Sequence, residues 1–354
     1  MAAPGISGRN EKDFRMRRRS FCLAAPIAFG APLAGRAQTP DAARPIKIVV
    51  ATPGRGGLLD TSGKVVAARL SRDLRRPVST ELMPPTDAVQ ALVRAPADGS
   101  TLLLANQLPL SNQVLKNEPY DMVQQLTAVA WLHRSPLVLY GAPGTSTLGI
   151  AGFLEQAKST QQPVLVVATQ PVARVAALQL GQKTGLNIEF VAAQTPLASF
   201  EALKAKRVHL VIANPISGEP SFRSAGDVSG QPQGVVNSSS ALAFVKGGFG
   251  DALAMTGERR SPALSDLPTM GESGIAGYVH YTWSGIFGPA GMEASLVASL
   301  NAAMNATTDG VALGLSLSGT YPEFPRTTAA RFAAVVQSEI QTMTEFHRSG
   351  KLPS

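Results

Sequence analysis

An α/β fold of mostly parallel sheets flanked by helices is predicted by three features of this 354-residue chain. Short apolar, β-branched runs alternate with helix-spaced stretches near the N-terminus. The same alternation begins again after residue 137. Glycine or proline punctuates the junctions between them. A strand–helix–strand order lays parallel strands side by side under covering helices. The length suits two domains, or one large one.

The elements follow in order. Residues 46–51 (IKIVVA) read as a strand, 52–57 as a glycine-rich turn, and 60–74 as a helix with apolar Val65, Val66, Leu70 and Leu74. Pro77 stops that helix. Residues 78–82 are a second strand, 87–94 a helix, 97–99 a turn and 101–105 (TLLLA) a third strand. The second series has strands at 137–140, 164–168, 188–191 and 208–212. Its helices lie at 147–159, capped by Ser146 or Thr147, at 172–184, closed by Gly185, and at 196–205. Strands at 252–256 and 283–287 precede long helices at about 293–308 and 327–347. The Ser-, Gly-, Pro- and Gln-rich stretch 215–240 reads as a surface insertion.

Composition narrows the function. Hydrophobic residues are 44% and charged residues 16%, ample for a packed core. Aromatics at 6% argue against a stacking platform for single-stranded nucleic acid. The net charge of +8 belongs mainly to the first 37 residues, which hold seven basic and two acidic side chains. The remainder holds 25 basic and 22 acidic residues, so no nucleic-acid footprint is expected. One cysteine, Cys22, excludes a disulfide framework and a Cys-based zinc site. His133, His209, His280 and His347 are scattered without metal-ligand spacing.

Residues 15–37 read as an export signal: a basic stretch, an apolar run from 21 to 33 broken by Pro26, Gly30 and Pro32, then small residues to Ala37. The run is too short for a membrane span. Arg18-Arg19-Ser20-Phe21 fits the twin-arginine pattern, with an arginine-rich Sec signal as the alternative. Cleavage near Ala37 places the mature start at Gln38, in the periplasm and without cysteine. Residues 1–14 read as an upstream extension, with Met16 an alternative start.

The turn Thr52-Pro53-Gly54-Arg55-Gly56-Gly57-Leu58-Leu59-Asp60, between a strand and a helix, has the build of an anion site. It is not a dinucleotide motif, because Leu59 stands where the third glycine belongs. It is not a P-loop, because Val65 follows Lys64. There is no G-x-S-x-G, and Asp60, Asp98, Asp121 and Glu201 are not spaced as an acid/base couple. No cofactor and no enzymatic activity are expected.

Several blocks carry a family resemblance. Arg44-Pro45-Ile46-Lys47-Ile48-Val49-Val50 with the glycine turn and Asp60 is similar to P-I-R-I-V-V-P…P-G-G-x-x-D. Pro96-Ala97-Asp98-Gly99-Ser100-Thr101-Leu102-Leu103 is similar to P-D-G-Y-T-L-L, and Pro119-Tyr120-Asp121 to P-Y-D. Arg260-Ser261-Pro262-Ala263-Leu264-Ser265-Asp266-Leu267-Pro268-Thr269, then Glu272-Ser273-Gly274 and Gly277-Tyr278, is the strongest stretch. Trp283-Ser284-Gly285-Ile286-Phe287-Gly288-Pro289-Ala290-Gly291 is similar to W-x-G-x-x-A-P-A-G. Over about residues 44–350 the chain resembles the Bug family, the extracytoplasmic solute receptors of tripartite tricarboxylate transporters.

The resemblance implies a two-domain periplasmic binding protein, a type II clamshell with a two-strand hinge. Domain I would take 38–143 and 257–354, and domain II 144–256 with the insertion at 215–236. It implies a monomer that captures a small organic anion, a carboxylate, in the interdomain cleft for permease subunits or a sensor kinase. Two alternatives remain open: a degenerate receptor acting as a protein-interaction partner, and a periplasmic enzyme on the same fold. The implied ligand-binding residues are Gly56, Gly57, Leu58, Leu59 and Asp60 in the first-domain loop, with Asn106, Thr169, Gln170, Arg174, Ala193 and Asn214.

The chain departs from the family pattern mainly in the second domain. Met83-Pro84-Pro85-Thr86 replaces a glycine-rich loop, and 166–174 (VVATQPVAR) replaces S-A-G-x-G-T-x-x-H. There Pro171 removes an amide donor and Arg174 stands where histidine is usual. V-P-Y-K-G becomes Val191-Ala192-Ala193-Gln194-Thr195, and Ala213 takes the place of an aspartate. Arg174 reads either as a bidentate clamp on a carboxylate or as a solvated arginine. His209 reads as a strand-face side chain.

Overall fold

The structure, a computed structural model, describes residues 44–52, 54–55, 57–215, 241–317 and 322–352. The expected leader, Gly56 and residues 216–236 of the expected insertion lie outside the described residues.

The first sheet holds β1 (Ile46–Ala51), β2 (Val78–Met83), β3 (Thr101–Asn106), β4 (Leu126–Pro136) and β10 (Tyr281–Pro289), in the order β2-β1-β3-β10-β4. The second holds β5 (Val138–Gly141), β6 (Val164–Val167), β7 (Ile188–Phe190), β8 (Leu210–Ala213) and β9 (Asp251–Met255), in the order β7-β6-β8-β5-β9. The two orders match position by position. Three strands pair in parallel, and the fourth place goes to a strand antiparallel to both neighbours, β10 in one sheet and β5 in the other.

Helices cover both faces of each sheet. α1 (Leu58–Leu74) and α8 (Ala294–Leu317) pack over Ile48, Val50, Leu104 and Ile286. α2 (Pro85–Val93), α3 (Leu108–Leu115) and α9 (Ala329–Arg348) cover the opposite face, where Phe332 meets Trp131, Trp283 and Phe287. On the second sheet, α4 (Gly149–Thr160) and α5 (Pro171–Thr184) pack over Leu139, Val166 and Ile212. α6 (Pro196–Lys204) and α7 (Ala241–Lys246) pack over Tyr140, Val167 and Val211. α1 buries the stripe Leu59, Val66 and Leu70. Gly63 lets this helix lie close to β1, since a Cβ there would stand 2.9 Å from the Val50 methyl. Among the described residues no helix is long and apolar enough to cross a membrane.

The chain passes between the sheets at two adjacent points. Leu137 joins β4 to β5, and Thr256 follows β9. Leu137 N–H donates to Thr256 Oγ1 (2.9 Å), Thr256 N–H to the Leu137 carbonyl (2.9 Å), and His280 N–H to the Thr256 carbonyl (3.0 Å). The buried Thr256 thus staples the two crossing segments.

Several sequence expectations are corrected. β5 pairs in the second sheet, so the sheet changes at Leu137, ahead of the expected boundary at 144. The cap expected from Ser146 or Thr147 is not made. A 3₁₀ turn at Thr145–Thr147 comes first, and α4 starts from Leu148 without a side-chain cap. Asp251 Oδ2 accepts from Gly144 and Ser146 N–H, while Thr147 Oγ1 donates to the Gly144 carbonyl, so these groups hold the turn. β4, α3 and α7 are additional elements, and β8 begins at Leu210 rather than 208.

Candidate functional site

A cavity of about 300 Å³ opens between the sheets, at the carboxyl ends of β3 and β8. Open α/β sheets offer ligand sites at such strand ends. The first half of the molecule contributes Leu58 from α1, Asn106 and Gln107 at the end of β3, Leu108 and Ser111 from α3, and residues of β4 and β10. On those two strands His133 and Ser135 face Ser284 and Thr282 across the ladder. The second half contributes Gln170, Pro171, Val172, Asn214 and Pro215, and the following connection adds Ser261 and Leu264. No lysine, arginine, aspartate or glutamate lines the cavity among the described residues.

Three helices begin at the cavity instead. α1, α3 and α5 each present their first turn to the cavity, through Leu58, through Gln107 and Leu108, and through Gln170, Pro171 and Val172. A helix N-terminus carries about half a positive charge; at α3, however, Leu108 N–H already donates to Asn106 Oδ1 (2.9 Å) and Pro109 supplies no N–H. Gly57 caps α1 in extended conformation with no side chain over the helix end. α5 begins with Pro171, which supplies no N–H.

The polar lining is held from behind. Gln107 Nε2 donates to the Tyr281 carbonyl (3.0 Å) and to Glu339 on α9. Its Oε1 accepts from Trp283 N–H (3.1 Å). Trp283 Nε1 donates to Glu339 Oε1 at 2.9 Å. Burial pushes the Glu339 carboxyl up to about 7, against the two donors that favour its ionised form. Thr282 Oγ1 lies 3.1 Å from Asn214 Oδ1 and links the two walls. His133 Nε2 lies 3.2 Å from Ser62 Oγ, and burial pulls the imidazole down to about 4, so it is neutral at pH 7.

Of the residues expected from sequence, Leu58, Asn106, Gln170 and Asn214 line the cavity together. Gly57, Leu59 and Asp60 sit beside Leu58 at the start of α1 but do not line it. The buried Asp60 carboxylate accepts from Lys64 Nζ at 2.7 Å. Thr169 is exposed, and Ala193 packs with the α6 side of the second sheet. Arg174 is corrected most. Its Nε donates to the Ala168 carbonyl (3.1 Å) and its guanidinium lies over Phe190, so it braces its own loop and is not in the lining. Sequence reasoning missed Gln107, Ser111, His133, Ser135, Thr282 and Ser284. The signal was present: His133-x-Ser135 and Thr282-x-Ser284 set polar groups two apart on otherwise apolar strands. His209 lies just before β8, and its Nδ1 accepts from Leu165 N–H at 2.9 Å.

A larger hollow of about 560 Å³ is lined by the second half alone, including Leu148, Phe153, Lys206 and His209.

The comparisons with known proteins agree with this fold. The family model "Tripartite tricarboxylate transporter family receptor" matches residues 224–345. A UPF0065 protein of a Pseudomonas species is 24% identical over 271 residues, 74% of each chain. A UPF0065 protein of Bordetella pertussis is 23% identical over 289 residues, 79% of this chain and 80% of that one. Among solved structures, a TctC solute binding protein from Polaromonas has a TM-score of 0.68 at 18% identity, covering 86% of this chain and 98% of its own. A Rhodopseudomonas palustris protein solved with adipate has a TM-score of 0.58 at 21% identity, covering 88% and 99%. One from the same organism with bound malate has 0.56 at 22%, covering 85% and 98%. The chain is thus similar in fold along nearly its whole described length to solute binding proteins, and its C-terminal part matches the model of the tripartite tricarboxylate transporter receptor family.

Proposed function

We propose that this chain is a periplasmic solute receptor that captures a small organic anion, a carboxylate, in the cavity between its two sheets. The observation that carries the reading is the convergence of three helix N-termini on a cavity lined by neutral polar groups. That arrangement stabilises a carboxylate by the helix dipoles and by the N–H groups that no side chain caps at the starts of α1 and α5. The relatives solved with adipate and malate support the same ligand class. A catalytic reading finds no support in the lining: the one Ser–His contact there involves Ser62, which is fully buried behind His133.

In this reading the two sheets are the cores of domains I and II, which close on ligand about the crossings at Leu137 and Thr256. The monomer then delivers its ligand to permease subunits or reports it to a sensor kinase. The leader directs export, with the mature chain starting near Gln38. N-terminal mass spectrometry of periplasmic protein checks that start, and a mature form that keeps Arg18 and Arg19 refutes it.

Native mass spectrometry of the purified protein, followed by calorimetric titration with mono- and dicarboxylates and their neutral amides, tests the ligand class. Carboxylates are expected to bind and the amides to fail. Equal binding of both, or binding of neither, refutes the reading.

A further inference from the structure

We propose that His133, positioned by Ser62, is a specificity-determining residue of the cavity, whose Nδ1–H donates a hydrogen bond to an oxygen of the bound ligand. The inference rests on the receptor reading above and names a residue that recognises the ligand within it.

Ser62 interrupts the apolar stripe that α1 lays on the first sheet, between Leu59 and Val66, and it is fully buried. A buried hydroxyl is costly unless bonded. Helical hydroxyls commonly donate back to the carbonyl four residues earlier. Elsewhere in this molecule Ser111, Ser199, Ser299 and Thr184 do so, at 2.7–3.0 Å. Ser62 makes no such bond; its Oγ meets His133 Nε2 at 3.2 Å instead. The hydroxyl proton is therefore available to Nε2, which leaves the ring proton on Nδ1.

His133 is only 3% exposed, yet it lines the cavity while Ser62 does not. The imidazole stands between the serine and the ligand space. Nδ1 has no partner among the described residues, and Phe324 packs against the ring. The ring is uncharged at neutral pH because burial disfavours the imidazolium. A neutral N–H in this place favours a ligand with an acceptor oxygen on the first-half wall, a carboxylate or a hydroxyl. Ser284, paired with His133 across the ladder, flanks it. The neighbouring Arg134 turns away, bonded to Glu323 and Glu258.

The test combines ring nitrogen-15 NMR with titration of adipate and malate. His133→Asn places an amide N–H near the position of Nδ1, and His133→Leu removes the donor at similar volume. The wild-type spectrum is expected to show an Nδ1–H ring, assigned by its loss in His133→Asn. His133→Leu is expected to weaken binding about tenfold, the effect of one neutral hydrogen bond. His133→Asn should stay within about threefold of wild type, and Ser62→Ala should fall between them, with melting curves confirming that each variant is folded. An Nε2–H ring, or a leucine variant that binds like wild type, overturns the inference and leaves the receptor reading intact. A wild type that binds neither acid nor any other carboxylate refutes the receptor reading instead. In that case the ring spectrum still decides the tautomer, and an Nε2–H ring overturns the inference on its own.

Discussion

The loop from β1 to α1 and the loop from β6 to α5 hold matching places in two sheets of matching strand order, yet they reach the cavity differently. The first reaches its helix through Gly54, Arg55 and the buried, extended Gly57, and no side chain covers the helix end. The second reaches its helix through Ala168, Thr169 and Gln170 and starts it with Pro171. The first wall adds Asn106, Gln107, His133, Thr282 and Ser284. The second adds Pro171, Val172, Pro215 and Leu264 beside its polar Gln170, Asn214 and Ser261. One topology thus supplies a wall with more polar side chains and a wall with fewer. Under the proposed receptor reading, the anionic end of the ligand is expected on the first wall and its less polar part on the second.

The largest break in this contrast is expected at the first loop. Gly57→Val puts a branched side chain at the uncapped start of α1, beside Leu58 of the cavity lining, where the proposed carboxylate would meet the helix amides. Charged hydrogen bonds contribute about 1.5–3 kcal/mol each, so losing two of them weakens carboxylate binding by at least a hundredfold. The fold is expected to survive, because φ at Gly57 is −75°, which valine adopts freely. Calorimetry with unchanged affinity would reduce the loop to a turn.

The next effect concerns what braces the polar wall. Glu339 accepts from Gln107 and Trp283, and burial raises its carboxyl to about 7, above its unfolded value of 4.5. A raised carboxyl means the folded state binds more protons than the unfolded state between those values. Stability therefore falls as pH rises from about 4.5 to about 7, and levels off above. Glu339→Gln removes this dependence. Relative to the variant, wild type is expected to lose on the order of 3 kcal/mol across that window, measured by denaturant unfolding at several pH values. Parallel curves for the two proteins would show that the carboxyl does not titrate there.

Pro171→Ala sharpens the contrast from the other side. It returns an N–H to the first turn of α5 at the cavity edge. Carboxylate affinity is expected to rise about fivefold, in line with one added hydrogen bond. No gain would mean that the ligand does not approach this helix.

How far this was legible in the sequence depended on where each element lay. β1, α1, β3, β6 and α5 combine apolar runs with glycine or proline boundaries, and they stand where the pattern put them, within a few residues. β4 did not stand out, because His133 and Arg134 interrupt its apolar run and its ladder with β10 shifts register twice. α3 is eight residues long with proline in its first turn, so it reads as loop. The site split along the same line. Leu58, Asn106, Gln170 and Asn214 end or follow strands in the regular βα series, where the sequence placed them, and they line the cavity. Gln107 and the polar pairs on β4 and β10 come from residues far apart in sequence, joined only by the crossing of the chain between sheets.

The smallest expected effect is at Arg174, the residue that the loop comparison most invites one to make a ligand clamp. It is the only cation in the 166–174 loop, where a clamp on a second-wall carboxylate would have to come from. Its Nε is already engaged by the Ala168 carbonyl, and its Cζ lies 5.7 Å from the Phe190 ring centre, outside the cavity lining. The guanidinium therefore holds the end of β6 against the start of α5 and acts on the ligand only through loop shape. Arg174→Ala is expected to destabilise the protein by about 1 kcal/mol, the range of one side chain–backbone hydrogen bond. Affinity for mono- and dicarboxylates should change by less than about twofold, and equally for both. A loss confined to dicarboxylates, and reaching the ~2–5 kcal/mol seen when one partner of a buried charge pair is truncated, would show that the arginine leaves Ala168 for the ligand. The second wall would then be a cationic one in the bound state, and the contrast between the two loops would hold for the unliganded protein alone.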